Sequence, residues 1–219
     1  MAFKELAHAY HQAVSRYDFA TVEKMLDENY IQHNPFVPSG RAAFLAMLPK
    51  LQQHGSRIEN VRILEDGPYV VMHHKWINAA PFGYNKAAAF HIIRFDSRSQ
   101  IAEHWNVMRE DSTSRSSLTD GETQIDDRER TIENKELVAE LMCSRIQNLS
   151  GDLRYDRLHK VLGEGNFVIA ISEAFRVGEP FAVYDLFRIR NQNVKEYWQI
   201  SQKIPSENLA NNNTMFGFK

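Results

Sequence analysis

The sequence predicts an α+β protein in which a curved antiparallel sheet packs on helices, and it predicts that this unit occurs twice in the chain. Three helical patterns precede four strand patterns in the first half, and one helical pattern precedes four strand patterns in the second half. The phrase EHWNVM, which begins at Glu103, returns as EYWQIS at Glu196. Such a return in the same order indicates an internal duplication.

The composition is that of a globular protein with a buried core. Of the 219 residues, 43% are hydrophobic and 25% are charged, and the formal net charge is -2. This balance provides no basic field that would attract nucleic acid, and no apolar run is long enough to span a membrane. The polar N-terminal stretch is unlike a signal peptide, so we expect a cytoplasmic protein with no nucleic-acid or membrane partner.

The helices of the first half follow from apolar spacing and from the residues that can begin or end them. Apolar side chains recur at helical spacing from Phe3 to Tyr17, and a short second helix over Phe19 to Leu26 has Asp18 in position to cap it. The segment NYIQHNP is expected to be extended as far as Pro35. A third helix should follow it and end at Gly55.

Strands are expected where β-branched residues alternate with polar residues around turn signals. In the first half, two strands flank Asp66-Gly67-Pro68, and two more flank a turn at residues 96–99. The polar stretch over residues 111–129 has the composition of a linker. Thr131 can then cap a helix that runs to about Leu149, and the last strands follow it.

The two halves are unequal copies of one unit. The corresponding positions are His91 and Asp185, Arg94 and Arg188, Glu103 and Glu196, Trp105 and Trp198, and Asn106 and Gln199. The first copy has two further helices and the YIQHNP segment, so only this copy is expected to enclose a pocket. We therefore divide the chain into a complete domain at 1–110, a linker at 111–130 and a truncated copy with its tail at 131–219.

Several segments resemble the SnoaL-like polyketide cyclase branch of the nuclear transport factor 2-like superfamily. The resemblance rests on YIQHNPFVPSGRAAF, EDGPYVVMHHKW, HIIRF and EHWNV in the first half, and on HKVLGEGNF and YDLFR in the second. It implies a cone-shaped, cystatin-like fold around a mostly apolar pocket. It also implies that the sheets of two such domains pair back to back, which would make the chain an intrachain pseudo-dimer, with a further homodimer optional.

Strand alternation places His104, Asn106 and Met108 on one face of their strand, and the resemblance selects this face as the inner one. We expect side chains from several segments to converge at the pocket. The expected catalytic residues are His91, His104 and Asn106, and the expected ligand-binding residues are His33, Asn34, Tyr30, Phe36, His73 and Met108.

Structural roles are assigned to other polar residues. Arg94 and Arg188 are expected to form ion pairs across neighbouring strands, with Glu103 and Glu196 as partners. The first-helix residue His11 is expected on the polar side of that helix. Because no helical H-x-x-x-H or H-E-x-x-H motif occurs, no metal site is assigned, and no organic cofactor is expected.

The chemistry depends on one position. In the family pattern EHWD, the residue after the tryptophan is an acid that serves as general base; this chain has Asn106 there and Gln199 in the second copy. An amide cannot take up a proton near pH 7. Three functions stay open: binding of a small apolar, carbonyl-containing molecule without turnover, a cofactor-independent cyclase or isomerase with a pocket histidine as base, and a non-catalytic assembly scaffold.

Overall fold

Two units make up the structure, a computed structural model that describes residues 2–111, 117–148 and 150–218. The first unit contains the described residues up to Thr119 together with Pro205–Gly217, and the second contains Asp120–Ile204 together with Phe218. The C-terminal segment, which the predicted boundaries assign to the second copy, thus lies with the first unit. That the two sheets pair back to back stays a prediction.

The first unit begins with the three predicted helices, α1 (Phe3–Arg16), α2 (Phe19–Met25) and α3 (Arg41–Gln53). Asp18 is the N-cap of α2, where its carboxylate accepts a hydrogen bond from the backbone N–H of Thr21 at 3.1 Å. The buried face of α1 includes His11, which is 1% exposed, so the expectation that His11 lies on the polar side of the helix is wrong.

A five-stranded sheet completes the first unit, and the α+β class is confirmed. Its strands are β1 (Leu26–Gln32), β2 (Arg57–Asp66), β3 (Tyr69–Ile77), β4 (Lys86–Phe95) and β5 (Ile101–Glu110), in the order β1-β5-β4-β3-β2. Consecutive strands from β2 to β5 pair antiparallel, as predicted. The NYIQHNP region adds a parallel edge, because β1 pairs with β5 in the same direction. A 3₁₀ turn at Ala80–Phe82 lies between β3 and β4.

The apolar core of the first unit lies between its helices and one face of this sheet. It contains Ala7 and Tyr10 from α1, Phe44 and Leu48 from α3, and Met72 from β3. The candidate site lies on this same face of the sheet, which every second residue along each strand lines.

The second unit repeats the plan with fewer parts. It contains α4 (Thr131–Gln147) and the antiparallel sheet β6 (Arg154–Glu164), β7 (Phe167–Arg176), β8 (Glu179–Arg190) and β9 (Asn193–Lys203), in sequential order. Thr131 is the first helical residue rather than the cap, and its hydroxyl accepts a hydrogen bond from the backbone N–H of Gly165 at 2.8 Å. Residues 112–116 of the predicted linker and the predicted helix end at Leu149 lie outside the described residues.

Each of the two sheets has an arginine–glutamate ion pair at the equivalent position of two neighbouring strands. Arg94 on β4 lies opposite Glu103 on β5 and donates to it from Nε at 3.0 Å. Arg188 lies opposite Glu196 in the second sheet and donates to its carboxylate in the same way. Both pairings were predicted from the repeat.

In the second unit, the position that matches His91 holds a buried carboxylate. Asp185 is fully buried and accepts hydrogen bonds from the hydroxyls of Tyr155 and Tyr197 and from Nε2 of Gln199. Nη1 of Arg145 lies 3.7 Å from it. Burial raises the pKa of Asp185 above its ordinary value. Because the carboxylate is closed in by these donors, the second copy uses this position for internal hydrogen bonding.

Part of the C-terminal segment is held by the first unit through asparagine side chains. The Nδ2 of Asn211 donates to the backbone carbonyls of Asn34 at 2.7 Å and Val37 at 2.8 Å. We expect Asn211→Ala to lower the free energy of unfolding by about 1–2 kcal/mol, because these two hydrogen bonds and a third, from the backbone N–H of Asn213 to Oδ1, are lost. Urea unfolding followed by circular dichroism measures this. Asn212→Ala, at the exposed next position, is the matched control and should change stability by less than about 0.5 kcal/mol.

Among the described residues, no helix combines the length and the apolar character that crossing a membrane requires.

Candidate functional site

A cavity in the first unit lies between α1, α3 and the inner face of the sheet. Its empty space is about 430 Å³, including the space open to solvent at its mouth. Most of the wall is apolar, with side chains such as Val14, Phe44, Leu51, Trp76 and Met108. The polar part of the wall is formed by His11, Gln32, His91, His104 and Asn106.

The register of β4 and β5 brings the polar residues together. His91 lies directly opposite Asn106, and His104 lies opposite Ile93, two residues along β4 from His91. Since facing residues in a ladder point to the same side, His91, His104 and Asn106 share the inner face of the sheet. The rings of His91 and His104 have their centroids 4.6 Å apart.

A chain of hydrogen bonds fixes the protonation of His104. The Oε1 of Gln32 accepts from the backbone N–H of Asn34 at 2.9 Å, which fixes the orientation of the amide. Its Nε2 therefore donates, to the hydroxyl of Tyr30 at 3.0 Å and to Nδ1 of His104 at 3.1 Å. The neutral His104 ring thus carries its proton on Nε2, which has no partner among the described residues. A ligand oxygen in the cavity could accept from this N–H.

His91 also belongs to a cluster of three imidazoles near α1. His11 on α1, His74 on β3 and His91 on β4 each offer one nitrogen, and these nitrogens all lie within 4.8 Å of one another. The ring centroids of His74 and His91 are 4.2 Å apart, and those of His11 and His74 are 4.8 Å apart. We name this set the histidine cluster.

Burial keeps these rings uncharged at neutral pH. It lowers the pKa of His11 to about 4 and that of His104 to about 3. For His74 and His91, burial is again the main cause and nearby histidines add to it, so that the pKa of each lies well below its ordinary value. The rings are therefore neutral hydrogen-bonding groups or metal ligands.

His73 lies on the wrong face for the predicted site. It pairs with Phe90 in the β3–β4 ladder and stacks on that ring at 4.3 Å, whereas Met72 is the residue opposite His91. Its Nδ1 lies 3.1 Å from Nη1 of Arg62. The expectation that His73 converges with the other histidines is corrected, because the strand alternation fixes only relative phase and the neighbouring histidine, His74, faces the cluster.

Other predicted ligand-binding residues have partners inside the protein. His33 stacks on Trp105 at 4.4 Å and contacts Glu103 through Nε2 at 3.1 Å and the carbonyl of Thr214 through Nδ1 at 2.7 Å. Asn34 closes a turn, with its Oδ1 accepting from the backbone N–H of Phe36 at 2.9 Å. None of these side chains is part of the cavity wall described above.

Of the remaining predicted site residues, some lie at the cavity and others do not. Phe36 is 54% exposed, and Tyr30 is buried behind His104, where its hydroxyl supports the ring. The structure brings His91, His104, Asn106 and Met108 together at the cavity.

The sequence analysis did not assign His11 and His74 to the site, although signals for both existed. Ala7, His11 and Val14 are spaced i, i+4 and i+7, which places His11 on the apolar face of α1. His74 alternates with Met72 and Trp76, whose large apolar side chains indicate the core-facing side of β3.

The family comparison matches most of the first unit. A model of the SnoaL-like domain family matches residues 7–104. A comparison with curated proteins found no match.

Solved structures with a similar arrangement have low sequence identity and cover about half of this chain. An NTF2-like protein of unknown function from Cytophaga hutchinsonii is 14% identical, with 50% of this chain and 91% of that chain covered and a TM-score of 0.42. A steroid delta-isomerase from Pseudomonas aeruginosa is 18% identical, with 50% and 81% covered and a TM-score of 0.40. An LEH-like epoxide hydrolase of M. tuberculosis is 17% identical, with 49% and 82% covered and a TM-score of 0.41.

Proposed function

We propose that the cavity of the first unit, in which residues 7–104 match the SnoaL-like domain family, binds a small, mostly apolar molecule through a carbonyl oxygen. The observation that carries the proposal is the Nε2–H of His104, whose position is fixed by Gln32 and Tyr30 and which has no partner among the described residues. An apolar wall with a few placed polar groups is typical of small-molecule sites.

Two forces would hold such a ligand. Apolar surface removed from water contributes roughly 25 cal/mol per Å², and the wall residues Val14, Phe44 and Leu51 provide the apolar contact. A buried N–H that gains an acceptor avoids the cost of staying unpaired, which is about 1–3 kcal/mol. Asn106 is 6% exposed and its amide can supply a second donor to the same oxygen.

The residues of the cavity wall give little support to turnover by a general base. Asn106 occupies the position of the family acid, and an amide does not accept a proton near neutral pH. The histidine alternative meets a second difficulty, because burial lowers the pKa of His104 to about 3 and that of His91 well below its ordinary value. A general base works best when its pKa lies near the working pH, so we favour binding without turnover.

The proposal is tested with a pair of probes that differ only in the carbonyl group. Acetophenone is expected to bind the full chain in saturation-transfer NMR and in a competition titration. Ethylbenzene is expected to bind about 5- to 30-fold more weakly, since one hydrogen bond to a buried donor is worth about 1–2 kcal/mol. Native mass spectrometry of the freshly purified chain would identify a ligand carried from the cell.

Asn106→Leu is the site variant, and Gln199→Leu is its matched control at the same repeat position in the second unit. Asn106→Leu should weaken the binding of acetophenone by about tenfold and leave the affinity for ethylbenzene unchanged, because it removes a polar contact at nearly constant side-chain volume. Gln199→Leu should change neither. Equal binding of the two probes would contradict the carbonyl contact, and absence of binding by both would favour the assembly scaffold.

A further inference from the structure

The histidine cluster has no role in the proposed ligand contact, and its chemistry points elsewhere. We propose that His11, His74 and His91 bind a Zn²⁺ ion at the inner end of the cavity. Three imidazoles with one open position are a common ligand set for Zn²⁺ in sites that also bind another molecule. The inference rests on the cluster alone and does not depend on the proposed organic ligand.

The positions of the nitrogens suit one ion after small side-chain movements. The three candidate ligand atoms lie within 4.8 Å of one another. In tetrahedral geometry with Zn–N distances near 2.0–2.1 Å, ligand nitrogens lie about 3.4 Å apart. Closing this difference requires the most widely separated nitrogens to approach by at most about 1.4 Å.

The ring nitrogens are buried and lack other contacts. Among the described residues, Nε2 of His11, Nδ1 of His74 and both nitrogens of His91 have no hydrogen-bond partner. The three residues are 1%, 0% and 5% exposed. Buried polar atoms in folded proteins nearly always have partners, so a set of three that meets at one point indicates an ion or a polar ligand. Zn²⁺ binds the neutral form of imidazole, which is the form that this site maintains.

Asn60 prepares His11 for this role. The Nδ2 of Asn60 lies 3.1 Å from Nδ1 of His8, so its Oδ1 faces His11 and accepts from Nδ1–H at 2.8 Å. The proton of His11 is therefore on Nδ1, and the lone pair of Nε2 is free for the ion. Outer hydrogen bonds of this kind orient metal-binding histidines, which makes Asn60 a positioning residue.

His74 has to change its protonated nitrogen. The Nε1–H of Trp76 donates to Nε2 of His74 at 3.1 Å, so that in the metal-free ring the proton is on Nδ1. Binding of Zn²⁺ at Nδ1 moves this proton to Nε2 and breaks the contact with Trp76. Metal binding is thus coupled to a change around an indole ring, which gives the site an optical signal.

The open coordination position faces the cavity. His11 and His91 both belong to the cavity wall, while His74 lies behind them and contacts Trp76. A fourth ligand, either water or an oxygen of a bound molecule, would approach from the cavity side. Zn²⁺ at this place could polarise a carbonyl group or lower the pKa of a bound water.

The test uses the full chain without a polyhistidine tag. After treatment with a chelator and dialysis, titration with Zn²⁺ in a calorimeter should show one site per chain, and Co²⁺ should give the strong visible absorption of a tetrahedral site. Tryptophan fluorescence should change during the titration, and Trp76→Phe should abolish most of this change.

His74→Gln and His91→Gln are expected to weaken Zn²⁺ binding by at least about 100-fold, and Asn60→Ala by about 10- to 100-fold. The matched control is His73→Gln, a buried histidine on the opposite face of the same strand, which should bind Zn²⁺ within about threefold of the unaltered chain. Circular dichroism confirms that each variant is folded. If a variant does not fold, the Co²⁺ spectrum of the unaltered chain decides the proposal.

The proposal is overturned by any of three results: no saturable Zn²⁺ binding, a weak Co²⁺ spectrum typical of an octahedral surface site, or a control that loses as much affinity as the cluster variants. Failure of acetophenone to bind would contradict the proposed function and would leave the proposed Zn²⁺ site unaffected.

Discussion

Mild acid is expected to unfold the first unit when metal ions are removed by a chelator. Five of its histidines are buried and have pKa values far below their ordinary value of 6.5. These are His11, His73, His74, His91 and His104. Neighbouring titratable groups lower these pKa values further. Other histidines act on His74 and His91, and Arg62 and Lys75 act on His73.

The sign follows from proton binding in the two states. Below pH 6.5 the unfolded chain binds protons at these rings, while the folded chain does not until the pH approaches 3 to 4 for His11, His73 and His104. Stability is therefore fully present above pH 6.5 and is lost as the pH falls. At pH 5 the rings of His11, His73 and His104 each cost about 2 kcal/mol, or about 6 kcal/mol together, which is comparable with the whole stability of a typical domain. His74 and His91 act in the same direction.

The measurement is an acid titration from pH 8 to pH 4, followed by circular dichroism and tryptophan fluorescence in the presence of a chelator. We expect a cooperative transition between pH 6 and pH 5. His104→Gln removes one of the five rings and should move the midpoint to lower pH. In a second titration without chelator, added Zn²⁺ should move it in the same direction if the histidine cluster holds the ion. A first unit that stays folded at pH 4 would contradict the prediction.

Glu103→Ala is expected to lower the free energy of unfolding by about 3 kcal/mol. Glu103 is 1% exposed and pairs with both Arg94 and His33. Removing one member of a buried ion pair leaves the other charge without compensation, which typically costs 3–5 kcal/mol; the partial exposure of Arg94 reduces this. Urea unfolding at pH 7.5 measures the change.

The repeat supplies the control for this substitution. Glu196 has the same register and the same arginine partner type in the second unit, but its side chain is 27% exposed. Glu196→Ala should therefore cost only about 1 kcal/mol, because water screens the charge that remains. Equal losses for the two substitutions would show that burial of Glu103 does not set the strength of its pairing.

Much of the fold could be predicted because its signals are local. The spacing of apolar residues predicted α1 to α3, and the turn residues between 66 and 68 predicted the β2–β3 hairpin. The parallel pairing of β1 with β5 was not predicted, since nothing local specifies which strand an extended segment joins. The predicted boundaries assigned Pro205–Gly217 to the second copy for the same reason, whereas the structure groups this segment with the first unit.

For the candidate site as well, the local sequence pattern predicted some residues correctly and could not decide others. Alternation correctly grouped His104, Asn106 and Met108 on one face of β5. It could not decide between His73 and His74, because adjacent residues on a strand point to opposite sides and the choice of inner side depends on what the helices cover.

The sequence by itself predicted the duplicated order of helices and strands, the matching ion pairs and the amides at the equivalent positions Asn106 and Gln199. All of these are properties of neighbouring residues or of a comparison within the chain. Only the tertiary structure decided that His11, His74 and His91 meet, because they lie on three different elements and their distances depend on how α1 packs on the sheet. Burial then fixed their charge, since removal from water disfavours the protonated ring.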